Sequence, residues 1–182
     1  MEPATRLVSV QYAGAVPTDD RSEALLDAVT SRDADGIVRL LAAGADPRGR
    51  DGEGVPLLRH AADTGDVALV RPFLDAGAPV DLADQYGVTP LMCAVMAGAP
   101  AAELVDLLVA CGVDVNSHGD PDEDGHTVLT RALETPAEPI IAALLAAGAD
   151  PNAARGDGWT PPMLAAQDGP PATVPAAARR RR

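Results

Sequence analysis

Lysine is missing from this chain altogether, so its positive charge rests on arginine alone, and four of those arginines are the last four residues, Arg179 to Arg182. Against 14 basic residues stand 27 aspartates and glutamates, a formal net charge of −13 that becomes −17 once the terminal arginines are set aside. Such a surface repels phosphate backbones, whose binding depends on neutralising cations; this argues against a nucleic-acid reader and favours a basic partner. Aromatic residues are nearly as scarce: Tyr12, Phe73, Tyr86 and Trp159 complete the set. Rings supply the most buried area per residue, so a single large core built on them is excluded and the interior must come from many small contacts. Two cysteines, Cys93 and Cys111, are too few for a disulfide framework, and neither stands in a paired-cysteine or zinc-ligand spacing. Both are expected to be reduced. No stretch approaches the roughly 18 apolar residues of a membrane span, and the first twenty residues lack a basic segment followed by a long apolar one. The expectation is a soluble, cytoplasmic protein, and 182 residues make one domain or one repeat array with tails.

What the chain does contain is a period. "LLAAGADP" at 40–47 returns as "FLDAGAPV" at 73–80, as "LVACGVDV" at 108–115 and again as "LLAAGADP" at 144–151. The glycines Gly44, Gly77, Gly112 and Gly148 are spaced 33, 35 and 36 residues apart. Pro56, Thr89 and Thr160 each follow one of these glycines by 12 residues, and Thr127 follows Gly112 by 15. Each opens a short apolar run: "PLLRHAADTG", "TPLMCAVMAG", "TVLTRALETP" and "TPPMLAAQDG". Apolar positions three and four apart predict short amphipathic helices, so each unit reads helix, turn, helix, extended loop. Threonine before proline suits a helix start, and glycine after the second helix permits the left-handed stop. The leucines and phenylalanine at 40, 41, 73, 74, 107, 108, 144 and 145 recur at equivalent places and are expected in a core shared between neighbouring units. Pro72 falls inside a second helix, where it is expected to kink or loosen it at a cost of roughly 3 kcal/mol if the site is interior. Two residues are inserted around Pro100, and "PPATVP" after Gly169 cannot begin an ordinary second helix.

These residues resemble the ankyrin repeat family, whose unit is a turn and two helices of about 33 residues with a Thr-Pro-Leu-His-x-Ala signature. The resemblance covers residues 22–169 and is strongest at 84–116. The histidine of the signature is replaced by Arg59, Met92, Thr130 and Met163, and its threonine by Pro56 in the second unit. It implies an all-α helix-turn-helix solenoid with short β-hairpin-type loops and four to five repeats. The expected organisation is a flexible tail at 1–20, units near 22–50, 51–83, 84–121 and 122–154, a partial unit at 155–169, and a disordered tail at 170–182. The resemblance further implies a non-catalytic adaptor that binds proteins on a concave face of loop tips and first-helix ends. The matching positions are Arg50, Glu53, Val55 and Asp63, then Gln85, Tyr86, Val88 and Met96, then Glu123, Asp124, His126 and Glu134, and finally Asp157 and Trp159. Tyr86 and Trp159 are the expected anchors, because such rings desolvate a large rigid area while keeping one polar contact. A dedicated inhibitor of a partner enzyme is the alternative, and the incomplete last unit would allow a monomer or a weak homodimer.

Motifs of chemistry are weak. "DPDEDG" at 120–125 imitates the first half of a calcium loop, yet Arg131 stands where a bidentate glutamate is required. His118 and His126 flank that loop, and Cys93 with His60 would be the one thiol and base pairing to consider. No glycine-rich phosphate loop or serine elbow is present. The reading is therefore no catalytic residues, no metal and no cofactor.

Overall fold

The computed structural model of the protein describes residues 20–119, 125–135 and 137–167. The expected tails, Asp20 apart, and the acidic stretch from Asp120 to Asp124 lie outside the described residues. Among the described residues are nine α-helices: α1 (Asp20–Thr30), α2 (Ala34–Ala42), α3 (Leu57–Asp63), α4 (Val67–Asp75), α5 (Pro90–Met96), α6 (Ala102–Ala110), α7 (Val128–Glu134), α8 (Glu138–Ala146) and α9 (Pro161–Gln167). The odd-numbered helices stack on one another in chain order as an inner row, and α2, α4, α6 and α8 stack as an outer row. Loops we term fingers join one helix pair to the next. Two are pinned at their base by single antiparallel bridges, Arg50 with Pro56 and His118 with Thr127, so the hairpin character of these loops is slight.

The inner helices α3, α5, α7 and α9 are seven residues long, too short to persist alone in water. Their starts are fixed locally. Met92 N donates to Thr89 Oγ1 at 3.3 Å, with Pro90 in the first turn, and Thr130 N donates to Thr127 Oγ1 at 3.0 Å. Packing then holds them: six of the seven residues of α5 are buried, because neighbours press on it from both sides and from the outer row. Leu58, Leu91 and Leu129, equivalent from unit to unit, are at most 3% exposed, each contributing about 1.5–3 kcal/mol by leaving water. In the outer row Phe73, Leu108 and Leu144 are fully buried, whereas their neighbours Leu74, Leu107 and Leu145 are half-buried against the core. Adjacent helical positions diverge by about 100°, so only one of each pair can face inward. In α2 that role falls to Ile37, leaving both Leu40 and Leu41 half-buried.

Each outer helix ends on a glycine, Gly44, Gly77, Gly112 or Gly148, with φ between 82° and 94°, the left-handed stop that a Cβ would oppose. Pro72 does not break α4, which runs unbroken from Val67 to Asp75. The donor it lacks would have bonded the carbonyl of Ala68, an exposed residue in the first turn where water can replace it. A 3-10 turn at Ala99–Ala101 absorbs the two inserted residues before α6. Hydrogen bonds also fasten units about one period apart: Asp114 N donates to Asp81 Oδ1 at 3.0 Å and Asp150 N to Asn116 Oδ1 at 2.8 Å.

Candidate protein-binding face

The finger tips and the exposed sides of the inner helices share one face, and carboxylates shape its loops. Asp51 accepts from the backbone N–H of Glu53 and Val55, Asp84 from Tyr86 and Val88, all at 2.9 Å, and Asp157 from Trp159 at 3.0 Å. These bonds set each finger's turn and thereby aim Tyr86 and Trp159. Both rings stay in contact with solvent, 46% and 39% exposed, as does Met96 at 57%.

Tyr86, Val88, Met92 and Met96 close around a recess of about 70 Å³ whose far wall is Gly119, His126 and Arg131. The recess thus joins the third unit to the fourth. Ion pairs flank it on both sides. Towards the C-terminus, Arg131 lies 3.1 Å from Glu134, Glu134 3.3 Å from Arg155, and Arg155 2.6 Å from Asp157. The Arg155 hydrogen bond draws the Asp157 carboxyl down to about 2. Towards the N-terminus, Arg59 sits between Asp63 at 3.7 Å and Asp84 at 3.5 Å, and His60 Nε2 meets Asp51 Oδ2 at 2.7 Å. Burial alone would raise the Asp51 carboxyl; the His60 bond and the two backbone donors outweigh it and hold it below its ordinary value.

Most of the residues read from the sequence fall where such a face requires. Glu53, Asp63, Gln85, Tyr86, Met96, Glu134, Asp157 and Trp159 are exposed and Val88 is half-buried. Val55 and His126, at 7% and 6%, are buried and offer a partner little area. Val55 is buried at the base of its own finger, and His126 forms part of the wall of the recess. Arg50 is an internal brace, donating to Gly54 O at 2.6 Å and to Ala83 O of the next finger at 3.3 Å. Glu123 and Asp124 lie outside the described residues.

Sequence reading missed the arginines that accompany these acids. Aligning units singles out one of them: Arg155 stands five residues before Thr160, where Asp84 stands five before Thr89. It also missed a broader groove of about 600 Å³ on the outer row, lined by Val38, Leu41, Ala68, Arg71 and Pro72.

Reaction chemistry finds no footing in the groups considered for it. Burial pushes the Cys93 thiol far up, with nearby Asp63 adding to the shift against the opposing pull of Arg59, and the residue is 1% exposed. His60, the imagined base, is engaged by Asp51. Among the described residues no three histidines, cysteines or carboxylates gather as metal ligands, and the acidic half of the calcium-like stretch lies outside them.

The family model for Ankyrin repeats (3 copies) matches residues 25–118 and 58–155, most of the chain. The chain belongs to the ankyrin repeat family. A relative from Otolemur garnettii, "Ankyrin repeat, SAM and basic leucine zipper domain-containing protein 1", is 39% identical over 121 residues, which is 64% of this chain and 24% of that protein. Proteins of the same name from Neofelis nebulosa and Loxodonta africana are 38% identical over 121 residues and 37% over 123. The chain therefore spans about a quarter of the length of these curated relatives. Ankyrin repeats make it a protein-interaction module of a family that is generally non-enzymatic. No helix among the described residues is long and apolar enough to cross a membrane.

Proposed function

We propose that this ankyrin array is a cytoplasmic, non-catalytic adaptor whose finger face docks a protein with a basic surface. The observation that carries the reading is the exposure of Tyr86, Met96 and Trp159 on one face, while Phe73, Leu91 and Leu108 are wholly buried. Large apolar side chains left in water beside a filled core are the usual hot spots of an interface. The choice of a basic partner follows from the net charge of −13 and from the absence of any lysine or arginine between Arg71 and Arg131. Electrostatic steering then makes association fast at low salt and slow at high salt.

The test is capture of partners from a source-cell lysate with wild type and with a Tyr86→Ala, Trp159→Ala double variant, both shown by circular dichroism to be helical. A protein retained by wild type and lost by the folded variant supports the reading. Equal capture by both moves the contact off this face, and an association rate indifferent to salt removes the basic partner.

A further inference from the structure

The recess between the third and fourth units has a size and lining that narrow what can enter it. At about 70 Å³ it is about half the ~150 Å³ of a cavity that holds a benzene ring and far below the ~300–1,000 Å³ of pockets that enclose cofactors. One side chain fits; a small-molecule cofactor does not. Four of its walls, Tyr86, Val88, Met92 and Met96, are apolar or aromatic. Methionine is the most adaptable of apolar side chains, and two of them line this one opening.

Its single cationic wall is already neutralised, because Arg131 lies 3.1 Å from Glu134. An acidic side chain entering the recess would have to compete with that carboxylate, whereas an apolar one leaves the pair intact. The surrounding charge also selects. In the flanking ion pairs the carboxylates of Asp63 and Glu134 are 44% and 37% exposed against 25% and 34% for the Arg59 and Arg131 side chains they pair with, so basic residues beside the entering side chain meet the more open acids and are attracted, and acidic ones are repelled.

We infer that this recess is a specificity pocket for one small or unbranched apolar side chain carried on a peptide segment with arginine or lysine beside it. The inference rests on the finger-face reading above and names the partner chemistry that the face selects. The anchor's stem lies against Tyr86 and Met96, its tip meets Met92 and Val88, and the basic neighbours stay at the rim in water.

A random dodecapeptide library displayed on phage, selected on the whole chain, is the probe. Enriched sequences are then titrated into protein labelled at its methionine methyl groups. Of the chain's four methionines, Met92 and Met96 line the recess and Met163 lies on α9, so a control is built in. The expected result is a shared apolar residue next to arginine or lysine, with shifts at Met92 and Met96 but not at Met163. Met96→Glu and Tyr86→Ala, at exposed positions that leave the core unchanged, each weaken binding about tenfold or more, and Val38→Ala, on the outer row, leaves it unaltered. Selection of acidic or wholly polar peptides, or of none, overturns the inference. So does binding that survives Met96→Glu. If such binding is lost in Trp159→Ala, the finger-face reading stands without the pocket, and if it survives both variants, both readings fall.

Discussion

Arg59, on an inner helix, reaches into the following finger and sets its Nε 3.5 Å from Asp84 Oδ2, a carboxylate whose side chain is 3% exposed. The family's histidine position is thus used here to tie one unit to the next. Asp84 in turn receives the backbone N–H groups of Tyr86 and Val88. Replacing Arg59 by methionine, the residue at the equivalent position of α5, leaves a buried carboxylate without its cation and is expected to cost about 1–3 kcal/mol. Asp84→Ala removes the finger's two turn bonds as well and costs about 1–3 kcal/mol, with Tyr86 displaced. Urea unfolding of both single variants and the double variant measures the coupling; additive losses would mean that the two side chains do not interact.

Acid sensitivity follows from Asp51. Its folded carboxyl lies below the ordinary value, so its contribution is present at neutral pH and is lost as the pH falls below about 4. His60→Ala withdraws the largest lowering influence. Stability at pH 7 is expected to drop by about 0.5–1.5 kcal/mol, and the acid loss to begin at higher pH than in wild type. Denaturation midpoints between pH 3 and 7 decide the matter; identical acid profiles would remove the His60 bond from the explanation.

Backbone geometry separates two glycines. Gly148 has φ of 94° and open space around it, so Gly148→Ala meets no clash and costs roughly 1–2 kcal/mol through conformation alone. At Gly52, equally open and without that torsion, the same change stays within about 0.5 kcal/mol. Thermal unfolding of the two variants should differ accordingly.

The two thiols differ in reach. Cys111 is exposed and Cys93 is buried. A thiol reagent is expected to label Cys111 at once in the folded protein and Cys93 only after denaturant is added. Fast labelling at both sites would show that the inner row opens readily.

Much of this architecture was written into periodicity. The recurring glycines marked where outer helices stop, and Thr-Pro marked where α5 begins, because both signals act through the backbone of adjacent residues. Burial within a pair was less legible: Leu107 and Leu108 are chemically identical, and only the angular setting of the helix decides that one is buried. Pro72 misled for a similar reason, since its cost depends on whether the freed carbonyl meets water. Tyr86 and Trp159 are exposed on their fingers while Val55 and His126 are buried, a difference that depends on which way alternate residues point in a loop with no regular period. The arginine partners of the acids lie from two to 25 positions away along the chain, too scattered to be seen without the stacking of units.

Trp159, the sole tryptophan, sits on the last finger with 39% of its surface in contact with solvent. Intrinsic fluorescence excited at the indole therefore reports on one end of the row, while far-ultraviolet dichroism averages over every helix. In an array held together mainly by nearest-neighbour contacts, the two signals need not change together. Their separation along a denaturant axis is a direct reading of how far cooperativity extends from the last helix back to the first.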